Sequence, residues 1–317
     1  MPEGALNGGM NGGMNGGMNG GMNGGMLAQG GTTLIGVPWS SWLDGDNHQF
    51  PVFRWNNQFP ISAWDPVLLA QVVLGEFAAD FGRMPRDKLE ALEKTLEGTE
   101  DAFKDITNVK QEIGALLEAA ADLRGSRMGE IVAQAQDLSL HWAAMLMITP
   151  ASRPNTWVLV AAAVAVGQLV AMQYKHRFNR ARPVQAYPAL MPPILTPAHP
   201  SFPNSHALQS YLIADTLKLA LEPDATIETL TEAGRKHPEL DRLADRIAQN
   251  REVAGLHFPS DKEGSKTLRE AVFPILATGN KFEYFLCEAR KEWGTAMSIL
   301  ADTQTPPLNG PQTNKGG

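Results

Sequence analysis

The chain has 317 residues, with 34 Asp and Glu against 27 Lys and Arg, a formal net charge of −7. That balance offers no general attraction to nucleic acid or to an anionic membrane surface. Its single cysteine, Cys287, excludes an intrachain disulfide framework, while 43% hydrophobic residues suffice for one large helical domain or two small ones.

Taken in chain order, residues 7–26 repeat Asn-Gly-Gly-Met five times. So much glycine makes ordering costly, and residues 1–31 are expected to form a disordered tail. The N-terminus lacks the basic start, apolar run and small-residue cleavage site of a signal peptide, which sets a cytoplasmic expectation. Trp39 to Pro66 is rich in Trp, Pro and Asn and reads as an irregular wrapping segment. Residues 66–82 have the apolar spacing of a buried helix. Residues 86–124 are charged and amphipathic, with Leu89, Leu92, Leu96 and Phe103 at helical steps. A further helix is expected from Met128 to Ile148, ending at Pro150. Pro154 then opens an apolar helix expected to reach Arg182, where Pro183 stops it.

The stretch Trp157 to Met172 in that helix is shorter than the ~20 apolar residues that cross a bilayer. It also contains Gln168, so we expect a buried core helix and no membrane span. Later helices are expected over 205–222, 225–235, 239–256, 261–279 and 280–301. The whole reads as an all-α bundle, with a helical N-terminal region over 32–150, a site-bearing region over 151–302 and a tail over 303–317.

Three motifs carry chemistry. In the first, Lys175-His-Arg-Phe-Asn-Arg-Ala-Arg182-Pro183, Lys175 and Arg182 are two helical turns apart and can share a face beside the most apolar helix. An unpaired cation there would be costly, so an anion is the expected partner. In the second, Pro200-Ser-Phe-Pro203-Asn204-Ser205-His206, Asn204 is a good N-cap. The N–H groups that follow, with the positive end of the helix dipole, suit an oxyanion. His206 lies in that first turn as a candidate proton donor. In the third, Arg251 is followed by His257 and then Asp261. A carboxylate four residues after a histidine can fix the imidazole's tautomer, which makes His257 an activated nucleophile or ligand. Pro259 places that pair at a helix junction. A divalent-metal site from His206, His257 and Asp261 is disfavoured, because the nearby Lys and Arg would repel the ion.

In this order the motifs resemble the superfamily of type 2 phosphatidic acid phosphatases, bacterial class A acid phosphatases and vanadium-dependent haloperoxidases. Its pattern is Lys-x6-Arg-Pro, then Pro-Ser-Gly-His, then Ser-Arg-x5-His-x3-Asp. The chain matches at Lys175, Arg182, Pro183, Pro203, His206, Arg251, His257 and Asp261, over about ninety residues. The resemblance implies a phosphatase/haloperoxidase-type helical bundle. It implies that Lys175, Arg182 and Arg251 hold the anion's oxygens, joined by Asn204 and Ser205. His257 would attack phosphorus or ligate vanadium, His206 would protonate the leaving group, and Asp261 would orient His257. Asn204 and Ser205 stand where the family has Ser and Gly, and Asn250 where it has Ser; these departures bear on catalytic efficiency.

The leading expectation is a phosphohydrolase acting on a small phosphate ester through a phosphohistidine on His257, with no cofactor. The alternative is a vanadate-dependent haloperoxidase oxidising halide with hydrogen peroxide. Vanadate would then sit on His257, with His199 as a halide-side residue. A non-catalytic oxyanion-binding homologue is the third possibility. No nucleic-acid partner is expected, and a homo-oligomer is compatible with all three.

Overall fold

Every regular element is helical among the residues that the computed structural model describes, namely 59, 61–232 and 237–302. The repeat tract, most of the Trp-rich segment and the C-terminal tail lie outside those residues. A short 3-10 turn at Ile61–Ala63 precedes α1 (Pro66–Phe81), which Asp65 caps by accepting the Val67 N–H at 2.8 Å. Next come α2 (Arg86–Lys104), α3 (Ile106–Gln136), α4 (Ser139–Leu146), α5 (Pro154–Phe178) and the single-turn α6 (Pro183–Ala186). Then follow α7 (Ser205–Leu221), α8 (Ile227–Glu232), α9 (Pro238–Val253), α10 (Pro259–Ala277) and α11 (Asn280–Asp302).

The largest departures from the sequence reading lie in two places, while the later helices 239–256 and 261–279 begin and end a few residues earlier than expected. The expected helix start at Met128 is the interior of α3, which begins after Asp105 and runs on to Gln136. Asp105 is extended (φ −78°, ψ 117°) and caps α3 by accepting the Thr107 N–H at 2.7 Å, so one aspartate both breaks the chain and restarts it. Asp137 then separates α3 from α4, accepting the Ser139 N–H at 2.8 Å. The second correction concerns Arg182, which is not on the apolar helix. Asn179 enters the left-handed region (φ 47°) and closes α5 with a 2.9 Å bond from its N–H to the Lys175 carbonyl.

Helices α5 and α7 form the centre. Both are buried almost all round, which is the place for a helix with no polar face. Around them pack α1, α9, α10 and α11, and one apolar core runs continuously from Val67 to Ala289. The core therefore continues across residue 150 without interruption. Pro154–Ala186 is long and apolar enough to cross a membrane, and 72% of its most apolar window is buried by the rest of the chain.

Two glycines let this packing meet the motifs. Gly255 (φ +73°) turns the chain out of α9, and a Cβ there would lie 2.9 Å from the Leu190 side chain. Gly264 on α10 presses on the Phe202 ring, where a Cβ would sit at 2.2 Å. Phe202 cannot yield, because Phe103 and Phe178 hold its ring at centroid distances of 4.9 and 5.1 Å. The loop between α6 and α7 is thereby pinned to the bundle beside a cis Phe202–Pro203 peptide.

Candidate active site

The turn at Asn179 delivers the first motif. Lys175, on the last turn of α5, is 1% exposed and donates to the Pro200 and Ser201 carbonyls at 2.8 and 2.7 Å. Pro183 confines Arg182 to an extended backbone (φ −79°, ψ 154°), which sends its side chain back under the bundle. The guanidinium bonds the His199 carbonyl (2.9 Å), the Leu256 carbonyl (2.8 Å) and the Pro200 carbonyl (3.4 Å). Its remaining contacts are His257 Nε2 at 3.1 Å and His199 Nδ1 at 3.0 Å. His199 Nδ1 also lies 3.2 Å from the Pro200 carbonyl, and all three guanidinium nitrogens are engaged within the protein.

The third motif begins at the end of α9. Arg251, 1% exposed, donates Nη2 to the Ile131 carbonyl (2.9 Å) and to Gln134 Oε1 (3.2 Å). After the Gly255 turn comes His257, 3% exposed, and then Phe258, which is extended before Pro259. Asp261, in the first turn of α10, is fully buried. Its Oδ2 accepts from His257 Nδ1 at 3.0 Å, from the Phe258 N–H at 3.0 Å and from the Ser201 hydroxyl at 2.5 Å. Its Oδ1 accepts from Arg180 at 2.6 Å.

The protonation state of His257 follows from these partners. A carboxylate can only accept, so Nδ1 carries the hydrogen; a guanidinium can only donate, so Nε2 presents its lone pair. Burial, then Arg182 and Lys175, hold the ring's pKa well below the usual histidine value. His257 is thus a neutral imidazole with an unprotonated Nε2 and an oriented rear edge, the form needed for nucleophilic attack or metal ligation.

The second motif starts α7. Asn204 caps the helix through Oδ1, which accepts the Ala207 N–H at 3.2 Å. The first backbone bond of the helix is from the Leu208 N–H to the Asn204 carbonyl, so the N–H groups of Ser205 and His206 lie ahead of it. Asn204 is tied to α10 by its own N–H, which reaches the Asp261 carbonyl at 3.1 Å, and by the Ser265 hydroxyl on its carbonyl at 2.8 Å. His206 Nε2 donates to the Gln134 carbonyl at 3.1 Å, which leaves Nδ1 unprotonated. Burial, followed by Arg251, pushes its pKa down to about 3.

The structure thus gathers Arg182, His199, His257 and Asp261 through direct bonds, and Lys175 shares the Pro200 carbonyl with Arg182. Gln134 links Arg251 and His206 to each other, and Arg251, Arg182 and Lys175 all lower the His206 pKa by their charge. Burial lowers Arg182 and Arg251 to about 10 and takes Lys175 well below its usual value, with Arg182 adding to the Lys175 shift and Asp261 opposing it. Four buried polar atoms in this cluster have no protein partner: Asn204 Nδ2, Ser205 Oγ, Arg251 Nε and Gln134 Nε2. Each can donate, and each would cost about 1–3 kcal/mol if left unpaired. The donor set suits a multiply charged oxyanion.

Sequence reasoning passed over Arg180, which stands in the first motif. Its guanidinium bridges Asp261 and Glu112 (2.6 and 2.7 Å) and lies 3.6 Å from the Phe103 ring centroid and 3.9 Å from that of Phe258. The stack fixes its plane and holds a permanent cation on the carboxylate that orients His257. The basic run was the only signal; the two rings come from distant sequence. Ser201 and Gln134 were missed for the same reason.

His257, which is buried, and His199 and His206, which are half-buried, should make the protein sensitive to acid. His199 is lowered to about 4 by burial, then by Lys175 and Arg182, while His206 is near 3 and His257 well below its usual value. Unfolded histidines titrate near 6.5, so below that pH the unfolded chain binds more protons than the folded one. The stability these neutral rings confer is therefore complete above about pH 6.5 and falls as the pH drops, by up to about 1.4 kcal/mol per unit for each ring. Urea unfolding at pH 7 and pH 5 checks this. A midpoint that does not fall between them would refute the neutral rings.

No protein-family model matches the chain, and no curated protein matches it either.

Proposed function

We propose that this chain is a soluble enzyme of the phosphatase/haloperoxidase superfamily that hydrolyses phosphate esters through a phosphohistidine on His257. The observation that carries the reading is His257 itself. Asp261 accepts a hydrogen bond from its Nδ1–H, its Nε2 lone pair faces Arg182, and buried donors without protein acceptors stand in the same cluster.

In this reading the phosphoryl oxygens are held by Lys175, Arg182 and Arg251, with Asn204 Nδ2, Ser205 Oγ and the first N–H groups of α7. Nε2 attacks phosphorus, the P–N bond forms and the P–O bond to the alcohol breaks. Arg182 then exchanges its Nε2 acceptor for a phosphoryl oxygen, so that its N–H stays bonded throughout. The departing alkoxide takes a proton from His206 Nδ1. His206 is neutral among cations alone, but a dianion beside it offsets Arg251, Arg182 and Lys175 and favours the protonated ring. Water then attacks phosphorus, gives its proton back to Nδ1 and releases phosphate, restoring Nε2. Asp261 stabilises the His257 imidazolium character that develops.

The second reading, a haloperoxidase, draws on His199, whose Nδ1 contacts Arg182 at 3.0 Å. The unpartnered donors fit vanadate as they fit phosphate: His257 would ligate it and the same cations would hold its oxygens. Bound vanadate would supply the activation of hydrogen peroxide for halide oxidation.

The deciding experiment assays the purified protein for release of phosphate from p-nitrophenyl phosphate without vanadate, and for bromide-dependent peroxidation with vanadate added. Hydrolysis alone supports the leading reading, and peroxidation alone supports the second. Inactivity in both, with inorganic phosphate still binding, would leave an oxyanion-binding protein.

A further inference from the structure

We infer that Gln134, on a helix outside all three motifs, is a positioning residue that sets the arrangement of Arg251 and His206 around the oxyanion; this rests on the functional reading above.

Gln134 lies in the last turn of α3, where the final four carbonyls of a helix have no intrahelical partner. One such carbonyl, its own, receives His206 Nε2–H at 3.1 Å. That contact assigns the ring's hydrogen to Nε2 and leaves Nδ1 as the atom that can exchange a proton. The side chain acts on the neighbouring cation. Gln134 Oε1 accepts from Arg251 Nη2 at 3.2 Å, and the Ile131 carbonyl one turn earlier accepts from the same nitrogen at 2.9 Å. Both Nη2 hydrogens are thereby spent on α3, while Arg251 Nε, on the adjacent edge of the guanidinium, is buried with no protein acceptor. The end of α3 thus fixes which edge of Arg251 remains for an anion.

The helix end is itself anchored. Gln134 Oε1 also accepts Asn250 Nδ2 at 3.1 Å, and the same nitrogen reaches Glu130 at 2.8 Å. Glu130 holds Arg246 by two bonds of 2.8 Å, locking α3 to α9 just beside Arg251. This gives Asn250 a role that a serine's shorter side chain, with one hydroxyl hydrogen, would not reproduce.

A second observation points to a ligand. Gln134 is 1% exposed, yet its Nε2 has no acceptor in the protein. A purely structural contact between α3 and α9 gains nothing from an amide with unpaired hydrogens, whereas an oxyanion held by Arg251 brings an acceptor into the same cluster.

The test uses Gln134→Leu and Gln134→Glu in the full chain, with inorganic phosphate titrated by calorimetry and p-nitrophenyl phosphate as substrate. Leucine removes both amide groups but keeps the main-chain carbonyl, so the His206 tautomer, read by nitrogen NMR, should stay Nε2–H. Phosphate dissociation constant and KM should rise about tenfold, the loss of one charge-assisted contact, with a smaller change in kcat. Glutamate keeps an acceptor for Arg251 but adds a negative charge beside the anion, so it should weaken phosphate at least as much. A merely structural role would lower the melting temperature of both variants and leave phosphate affinity of the folded protein unchanged; that outcome overturns the inference. A parent protein that binds no phosphate overturns the functional reading, and this inference with it.

Discussion

His257→Ala should lower phosphate-ester turnover by about 10⁴-fold or more, to the background set by the remaining binding groups. The expectation follows from the chemistry of one atom. Nε2 is the nucleophile in the proposed reaction, and His199 and His206 offer no substitute. Neither ring is oriented by a carboxylate as His257 is: His199 Nδ1 lies against Arg182, and His206 Nε2 donates to the Gln134 carbonyl. Binding should behave differently. Lys175, Arg182 and Arg251 all remain, and Arg182 Nη1 loses its Nε2 acceptor, so inorganic phosphate should bind the variant within a few-fold of the parent. The fold should lose about 1–3 kcal/mol, because Arg182 and Asp261 each lose a buried partner. Turnover, calorimetric phosphate affinity and urea unfolding separate these effects. A variant that keeps a tenth of the parent's turnover would exclude His257 as the covalent centre. The same loss is expected for bromide peroxidation, since the ligand to vanadium would be gone.

What the sequence showed and what it hid divide along the range of the interactions. Helical periodicity is local, so the spans at 66–82, 205–222 and 280–301 could be read closely. The spacing from Arg251 to His257 to Asp261 is also local: it spans a helix end, a glycine turn and a proline-led helix start, each with its own residue signal. Lys175 and Arg182 illustrate a partial reading. They do converge, on the Pro200 carbonyl, but not by sharing a helical face; Asn179 ends the helix and Pro183 extends Arg182, and the loop folds back. The split at Asp105 was hidden because an aspartate inside a charged helix and an aspartate capping the next one look alike without the backbone. Least legible were the supports. Arg180 lies between Phe103 and Phe258, and Gln134 meets residues more than seventy positions away. No periodicity announces such pairs, because they exist only once α2, α3 and α10 have packed.

Asp261→Asn should reduce turnover by about 10³–10⁴-fold, the scale seen when a carboxylate that fixes a catalytic histidine's tautomer becomes an amide. Asp261 receives one hydrogen at Oδ1, from Arg180, and three at Oδ2, from His257 Nδ1, the Phe258 N–H and the Ser201 hydroxyl. Asparagine can supply only one oxygen. If its NH₂ faces Arg180, two donors oppose each other and the Arg180 guanidinium keeps Glu112 as its one ionic partner. If the NH₂ faces the other side, His257 must give up its Nδ1 hydrogen and move it to Nε2, which removes the nucleophilic lone pair. In either placement the charge that stabilises an imidazolium is lost. Removing one partner of a buried ion pair also costs about 3–5 kcal/mol, so unfolding should be measured beside turnover. Phosphate affinity is the discriminating quantity. Asp261 holds His257 and not the anion, and losing a negative charge near Lys175 and Arg182 does not weaken their pull on phosphate. The folded variant should therefore bind inorganic phosphate at least as well as the parent while turning over substrate far more slowly. Full turnover with weakened phosphate binding would instead place Asp261 among the groups that arrange the anion, and His257 would need another source of orientation.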